Sequence, residues 1–283
     1  MPDDIEALRA AIMNSPSYQL AEDDHDLLKR DELRANRLQL EFIKPELVQR
    51  DFNIGSTVVV FGGSRILERT QAQHRLDLAK CELARAPDDR DRQRAVHVAE
   101  RLLAKSRYYD EARKFSRIVS STCQLDGRRE FVIVTGGGPG VMEAANRGAF
   151  DVGAKSMGFN ITIPDEQMPN PYITPELCFQ FRYFAIRKLH FLMRAKALVA
   201  FPGGFGTLDE LFEALTLVQV ERAKRLPIIL FGREFWEELL NWNYLVDEGT
   251  VSPDDLDLIS YAETAEQAWD VIMRYHPDRS PTQ

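Results

Sequence analysis

Three stretches of the chain are almost unbroken apolar runs: Thr57-Val58-Val59-Val60-Phe61, Phe131-Val132-Ile133-Val134-Thr135 and Ala197-Leu198-Val199-Ala200-Phe201. A strand with one wet face alternates, whereas a parallel strand covered on both faces does not, so each run predicts a buried parallel strand. Each run also ends in glycines followed by a segment with helical spacing. Gly62-Gly63-Ser64-Arg65 follows the first, Gly136-Gly137-Gly138-Pro139-Gly140 the second, and Pro202-Gly203-Gly204-Phe205-Gly206-Thr207 the third. Met157 to Ile163, closed by Pro164, Leu226 to Phe231, and Leu256 to Tyr261 predict further strands. From Phe179 to Arg194, aromatic and aliphatic residues recur at helical spacing. Strand and helix alternate throughout with no Asn-Gly hairpin signal. This predicts the α/β class, with a Rossmann-like, doubly wound parallel sheet and helices on both faces.

The pattern changes at its edges. Residues 1–50 carry charge throughout, with Ile5, Leu8 and Ile12, then Leu27, Leu28, Leu33, Leu38, Leu40 and Phe42, spaced for helices. Pro45 predicts a helix break, leaving a helical N-terminal extension over 1–50 and the main domain over 51–283. Between Arg65 and Ser121, two long charged segments part near Pro87-Asp88-Asp89, where aspartate suits an N-cap. The second alternates Arg, Asp and Glu, the pattern of a solvated helix face, and its length leaves part to pack on another subunit. Pro164 to Pro175 is a proline-rich loop containing Asn170-Pro171-Tyr172, and Thr174-Pro175 fits an N-cap with proline at N1. Thr264, with Gln267 at N3, caps the last helix.

Composition narrows the classes. A hydrophobic content of 44% over 283 residues supplies a core, while a formal net charge of -8 argues against a nonspecific nucleic-acid binder, which needs a basic surface. Cys81, Cys123 and Cys178 are scattered, so neither a disulfide framework nor a zinc site is expected, which suits a reducing cytoplasm. The N-terminus lacks an apolar signal core, and no window approaches the ~18 apolar residues of a membrane span, so a soluble protein is expected.

The third loop carries the clearest chemistry. A glycine-rich turn opening a helix presents unpaired N–H groups and a partial positive charge, which together make an anion site. The second loop is a defective dinucleotide fingerprint, because the third glycine position falls on Val141 or Glu143 depending on the register. Two such loops at strand ends suit a mononucleotide better than NAD, although either alone is also what a tight strand-to-helix turn looks like. No lysine precedes Thr207 as in a Walker loop, the five histidines lack metal spacing, and no G-x-S-x-G elbow appears. A reaction without metal or cofactor is the expectation.

Pro202-Gly203-Gly204-Phe205-Gly206-Thr207-Leu208-Asp209-Glu210 resembles the PGGxGTxxE signature of the LOG family, cytokinin-activating phosphoribohydrolases often labelled lysine decarboxylases. Gly136 to Glu143 is similar to the family's second glycine loop, and Arg187-Lys188 to its Arg-Lys pair, so the likeness runs from about Thr57 to the end. With its N-terminal extension the chain is more similar to the longer, type II members. The resemblance implies hydrolysis of AMP or a cytokinin riboside monophosphate to free base and ribose 5-phosphate. It implies catalytic roles for Arg187 and Glu210, phosphate on Gly203, Gly204, Phe205, Gly206 and Thr207, and further contacts at Ser64, Gly137, Gly138, Met142, Glu143 and Lys188. A homodimer or hexamer is implied as well. A nonenzymatic nucleotide or molybdopterin carrier is the alternative, since related folds bind without cleaving.

Two residues keep two readings. Thr207-Leu208-Asp209-Glu210 is also a T-x-x-E capping box, in which the glutamate sits in the first helical turn and returns a hydrogen bond to the N-cap amide. In that turn the dipole favours its ionised form. Glu213, one turn further on, reads either as a site residue or as a helix-surface charge.

Overall fold

The computed structural model describes residues 2–124, 127, 129–164 and 168–277. Met1–Lys44 and Pro45–Gln283 form two compact units. The first holds α1 (Pro2–Met13) and α2 (His25–Lys29), the latter capped by Asp24, which accepts from the amides of Asp26 and Leu27. The next helix, α3 (Arg34–Asp51), runs through Pro45 instead of stopping before it. Proline removes one donor from the helix interior, and burial of its ring offsets part of that loss.

The second unit is a seven-stranded, wholly parallel sheet in the order β4-β3-β2-β1-β5-β6-β7, made of β1 (Thr57–Phe61), β2 (Val132–Thr135), β3 (Ser156–Ile161), β4 (Cys178–Phe181), β5 (Ala195–Ala200), β6 (Ile228–Phe231) and β7 (Ile259–Ala262). Both faces are covered, and β1 shows how. Val58 and Val60 face the layer that includes Tyr109, Phe115, Ala145 and Ile272, while Val59 and Phe61 face Phe191, Leu211 and Trp236. This two-sided burial is why the central strands are apolar without alternation. The first layer comes from α6 (Arg107–Cys123), α7 (Val141–Phe150) and α12 (Ala265–Tyr275), the second from α8 (Phe184–Met193), α9 (Phe205–Gln219) and α10 (Arg233–Leu239).

The structure departs from the sequence pattern in three further places. The charged stretch after β1 is three helices, because α4 (Arg69–Arg85) and α5 (Arg90–Ala104) are followed by a break at Lys105–Ser106 before α6. Asp89 caps α5 as expected, accepting from the amides of Asp91 and Arg92. Cys178–Phe181 is an edge strand beside β3 and not the start of a helix: Phe179 and Phe181 are buried while Gln180 between them is exposed, which is the period of a strand. Pro253–Leu258 is a 3-10 helix begun by a Ser252–Asp255 capping box, so β7 starts only at Ile259. Among the described residues no helix is long and apolar enough to cross a membrane.

The layer over β2 depends on a close approach of α6 and α7. A Cβ placed on Gly148 would come within 2.1 Å of the Arg113 carbonyl oxygen, so the two helices meet backbone to backbone. Gly148→Ala is therefore expected to destabilise the protein by about 1–3 kcal/mol, the usual cost of overpacking. A urea midpoint equal to that of the wild type would contradict this packing.

Candidate active site

The order of the strands reverses at β1, which has β2 on one side and β5 on the other. In open α/β sheets this is where a crevice forms at the carboxyl ends of the strands. The three glycine loops leave β1, β2 and β5 at that edge and are tied in sequence. The Val141 amide donates to the Gly63 carbonyl (3.2 Å), and the Gly63 amide donates to the Pro202 carbonyl (2.9 Å). Between them lies a cavity of about 250 Å³ lined by Phe61 to Ser64 of the first loop, Gly136 and Met142 of the second, and Gly204, Gly206, Thr207, Asp209 and Glu210 of the third. Phe184 and Arg187 of α8 complete it.

The third loop opens α9 earlier than the capping-box reading requires. Gly204 is the N-cap, and its carbonyl accepts from the amides of Thr207 (3.0 Å) and Leu208 (3.1 Å). The Thr207 amide is thus spent within the helix, which leaves Phe205 and Gly206 in the first turn without intrahelical partners. A Cβ on Gly204 or Gly206 would meet nothing within 4 Å, so this stretch of backbone is open to a ligand. Glu210 lies beyond the first turn, and a glycine N-cap has no side chain to pair with it, so Glu210 is neither a cap nor a dipole partner.

Glu210 instead points into the protein, 8% exposed. Burial pushes its carboxyl above the ordinary glutamate range, and the charges of Lys188 and Arg187 pull it back only in part. Arg187 is partly buried. Its Nε donates to the Phe159 carbonyl (2.7 Å), its Nη2 lies 3.5 Å from the Gly136 carbonyl, and its guanidinium sits 5.2 Å from the centre of the Phe191 ring. Burial lowers its pKa, which the negative charge of Glu210 opposes. Lys188 Nζ is held by three carboxylates, those of Asp209 (2.8 Å), Glu210 (3.3 Å) and Glu213 (2.8 Å). Burial alone would lower the lysine pKa, but the hydrogen bonds to Asp209 and Glu213 and the charge of Glu210 outweigh it and keep Lys188 charged.

The cavity gathers Ser64, Met142, Arg187, Gly204, Gly206, Thr207 and Glu210 from the residues singled out in the sequence, and leaves others off its lining. The ammonium of Lys188 is occupied by carboxylates, and Glu213 is its partner and not a free surface charge. The Glu143 carboxylate accepts from the Tyr109 hydroxyl (2.8 Å). Gly203 lies under the Thr207 side chain, and Phe205 turns its ring outward, 92% exposed, so only its backbone is available. The carbonyls of Gly137 and Gly138 accept from Asn170 behind the cavity wall. Phe184 and Asp209 were not singled out, though both were within reach: Phe184 lies three positions before Arg187 on one helix face, and Asp209 adjoins Glu210.

The Lys188–Glu210 contact has a direct consequence. Removing a cation that favours the carboxylate raises the carboxyl pKa, so in Lys188→Met the NMR titration of the Glu210 side chain should shift to higher pH than in the wild type. An unchanged midpoint would mean that the two charges do not interact.

Known proteins match much of this chain. The family model described as "Possible lysine decarboxylase" matches residues 142–272. The cytokinin riboside 5'-monophosphate phosphoribohydrolase LOG7 of Arabidopsis thaliana is 31% identical over 160 residues, covering 55% of this chain and 71% of that protein. LOG3 of the same plant is 29% identical over 177 residues, covering 61% and 78%. Among solved structures, a molybdenum cofactor binding protein from Rippkaea orientalis aligns with a TM-score of 0.41 at 19% identity, covering 60% of this chain and 88% of that one, a likeness too distant to bear on function. With glycine loops, Arg187 and a buried glutamate in place around one cavity, and with 31% identity over most of LOG7, the chain belongs to the LOG family.

Proposed function

We propose that the protein is a phosphoribohydrolase that cleaves the N-glycosidic bond of a nucleoside 5'-monophosphate, AMP or a cytokinin riboside monophosphate, to free base and ribose 5-phosphate. The observation that carries this reading is the meeting of Arg187 and buried Glu210 on one cavity whose rim is the N-terminus of α9. Cleavage of the bond builds positive charge on the ribose, and a carboxylate beside the anomeric carbon stabilises that charge and orients the attacking water. Glu210 takes this role. Arg187 keeps its proton, holds the substrate and stabilises negative charge on the departing base. The phosphate lies on the amides of Gly204, Phe205 and Gly206, with the Thr207 hydroxyl as a further donor.

The size of the cavity supports a reading of the rest of the substrate. At about 250 Å³ it is smaller than the ~300–1,000 Å³ of ordinary ligand pockets, so it encloses the ribose phosphate and leaves the base at the rim, beside the exposed ring of Phe184. Beside the rim α8 exposes Phe184, and one face of α9 exposes Phe205 and Phe212. A second copy of the chain covers this face and completes the base pocket, in a cytoplasmic homodimer. Light scattering at micromolar concentration should give at least twice the 32.4 kDa of one chain, and a strict monomer would contradict the dimer.

Two variants test the site itself. Glu210→Gln keeps the shape of the side chain but cannot stabilise a cationic ribose, so AMP binding should persist while hydrolysis falls by roughly 10²-fold or more. Gly204→Val fills the open space over the loop, so AMP binding should be lost with little change in thermal stability. Near wild-type hydrolysis by Glu210→Gln would remove the glutamate from the chemistry, and wild-type affinity in Gly204→Val would move the phosphate elsewhere.

A further inference from the structure

We infer that Asn170, on the proline-rich loop, is a positioning residue for this site. It holds the second glycine loop in the backbone conformation that forms the cavity wall against which Arg187 lies. This inference rests on the phosphoribohydrolase reading for its catalytic consequence, though not for the structural coupling itself.

Asn170 is buried, 7% exposed, on a connecting segment of the kind that ordinarily runs over the surface. Its backbone amide donates to the Gly137 carbonyl (2.9 Å). Its side-chain Nδ2 reaches three oxygens: the carbonyls of Gly137 (3.2 Å) and Gly138 (3.1 Å) and Asn146 Oδ1 (3.0 Å). On the other side its Oδ1 accepts from the Tyr172 amide (3.2 Å). Only this orientation of the amide works, since the reverse would set an oxygen against three acceptors. Asn146 is fixed in turn, donating to Ser156 Oγ (3.0 Å) and the Met157 carbonyl (3.1 Å) and accepting from Thr135 Oγ1 (2.7 Å). Thr135 Oγ1 also accepts from the Gly137 amide (3.0 Å), so both backbone polar groups of Gly137 are held.

The loop needs this bracing. Gly136-Gly137-Gly138 has no side chain to limit rotation of its peptides, and Gly137 sits at φ 76°, a region that glycine enters and leaves at little cost. Gly136 and Met142 line the cavity on either side of the braced peptides, and a Cβ on Gly136 would fall 2.6 Å from Arg187 Nη2, so the guanidinium packs directly on this backbone. If the Gly137 and Gly138 carbonyls were released, the surface that seats Arg187 would no longer be fixed. The phosphate amides are on a different loop and would be untouched. Loss of Asn170 therefore reduces turnover more than substrate affinity.

The same loop offers its own control. Thr174 Oγ1 accepts from the Ser156 amide (3.1 Å) and ties the loop to β3 without touching the glycine loop. Asn170→Asp, which keeps the size of the side chain but replaces the donor by a carboxylate, is compared with Asn170→Ala and with Thr174→Val. Both Asn170 variants should lower kcat for AMP by about tenfold to a hundredfold with KM within about threefold of the wild type. Thr174→Val should keep the wild-type kcat. Amide exchange over residues 136–141 should be at least about tenfold faster in the Asn170 variants and unchanged in Thr174→Val. Wild-type exchange in the Asn170 variants overturns the inference whatever the activity, and so does wild-type kcat in them. A wild-type protein that cleaves no nucleoside monophosphate overturns the function proposed above, while accelerated exchange in the Asn170 variants would still uphold the coupling.

Discussion

The site depends on keeping charged side chains largely out of water. An uncompensated buried charge costs several kcal/mol, so each one here must be met by a partner or a dipole. Arg187 is met by the Phe159 carbonyl and the face of Phe191, and Glu210 by Lys188, whose remaining donors go to Asp209 and Glu213. The Lys188 pairings bind α8 to α9. The two helices cannot separate without stranding a charge, and the cavity between their starting turns is therefore held open in a defined shape. Since burial raises the Glu210 carboxyl and Lys188 and Arg187 restrain that rise, the charge on Glu210 is set jointly by burial and these two cations.

The sheet supplies the frame for this arrangement. A parallel sheet ends every strand of one direction at the same edge, and the reversal of order at β1 splays the helices there, so loops distant in sequence converge. Backbone hydrogen bonds from Val141 to Gly63 and from Gly63 to Pro202 make the three loops one continuous rim. The rim is built largely of main chain, which tolerates a phosphate at close range, and among the described residues the charged side chains on the cavity, Arg187, Asp209 and Glu210, come from α8 and α9. The proposed function uses this as a division of labour, in which backbone binds the anion and side chains act on the ribose.

Much of this was legible in the chain. Runs such as Val58-Val59-Val60 mark strands covered on both faces, and the glycines after them mark the edge where ligands bind. What was not legible depended on partners far away in sequence. Phe179 and Phe181 are spaced for a strand, yet the same stretch continues at helical spacing, and only pairing with β3 decides between them. The T-x-x-E pattern at Thr207 pointed to a cap, but the Gly204 carbonyl had already begun the helix. Lys188 read as a substrate contact because the three carboxylates that occupy it could not be placed around it from sequence. Asn170 carried no signal, since nothing local shows that its side chain is buried against a loop more than thirty residues earlier.

The fate of the glycosidic bond in the wild-type protein decides whether Arg187 and Glu210 serve hydrolysis. AMP, CMP, GMP and isopentenyladenosine monophosphate are each incubated in water enriched in heavy oxygen, and the products are separated and weighed by mass spectrometry. Free base and ribose 5-phosphate are expected in equal amounts from at least one of the four, with the heavy oxygen on the sugar and none on the phosphate. Release of inorganic phosphate with an intact nucleoside, or no cleavage of any of the four, would contradict it.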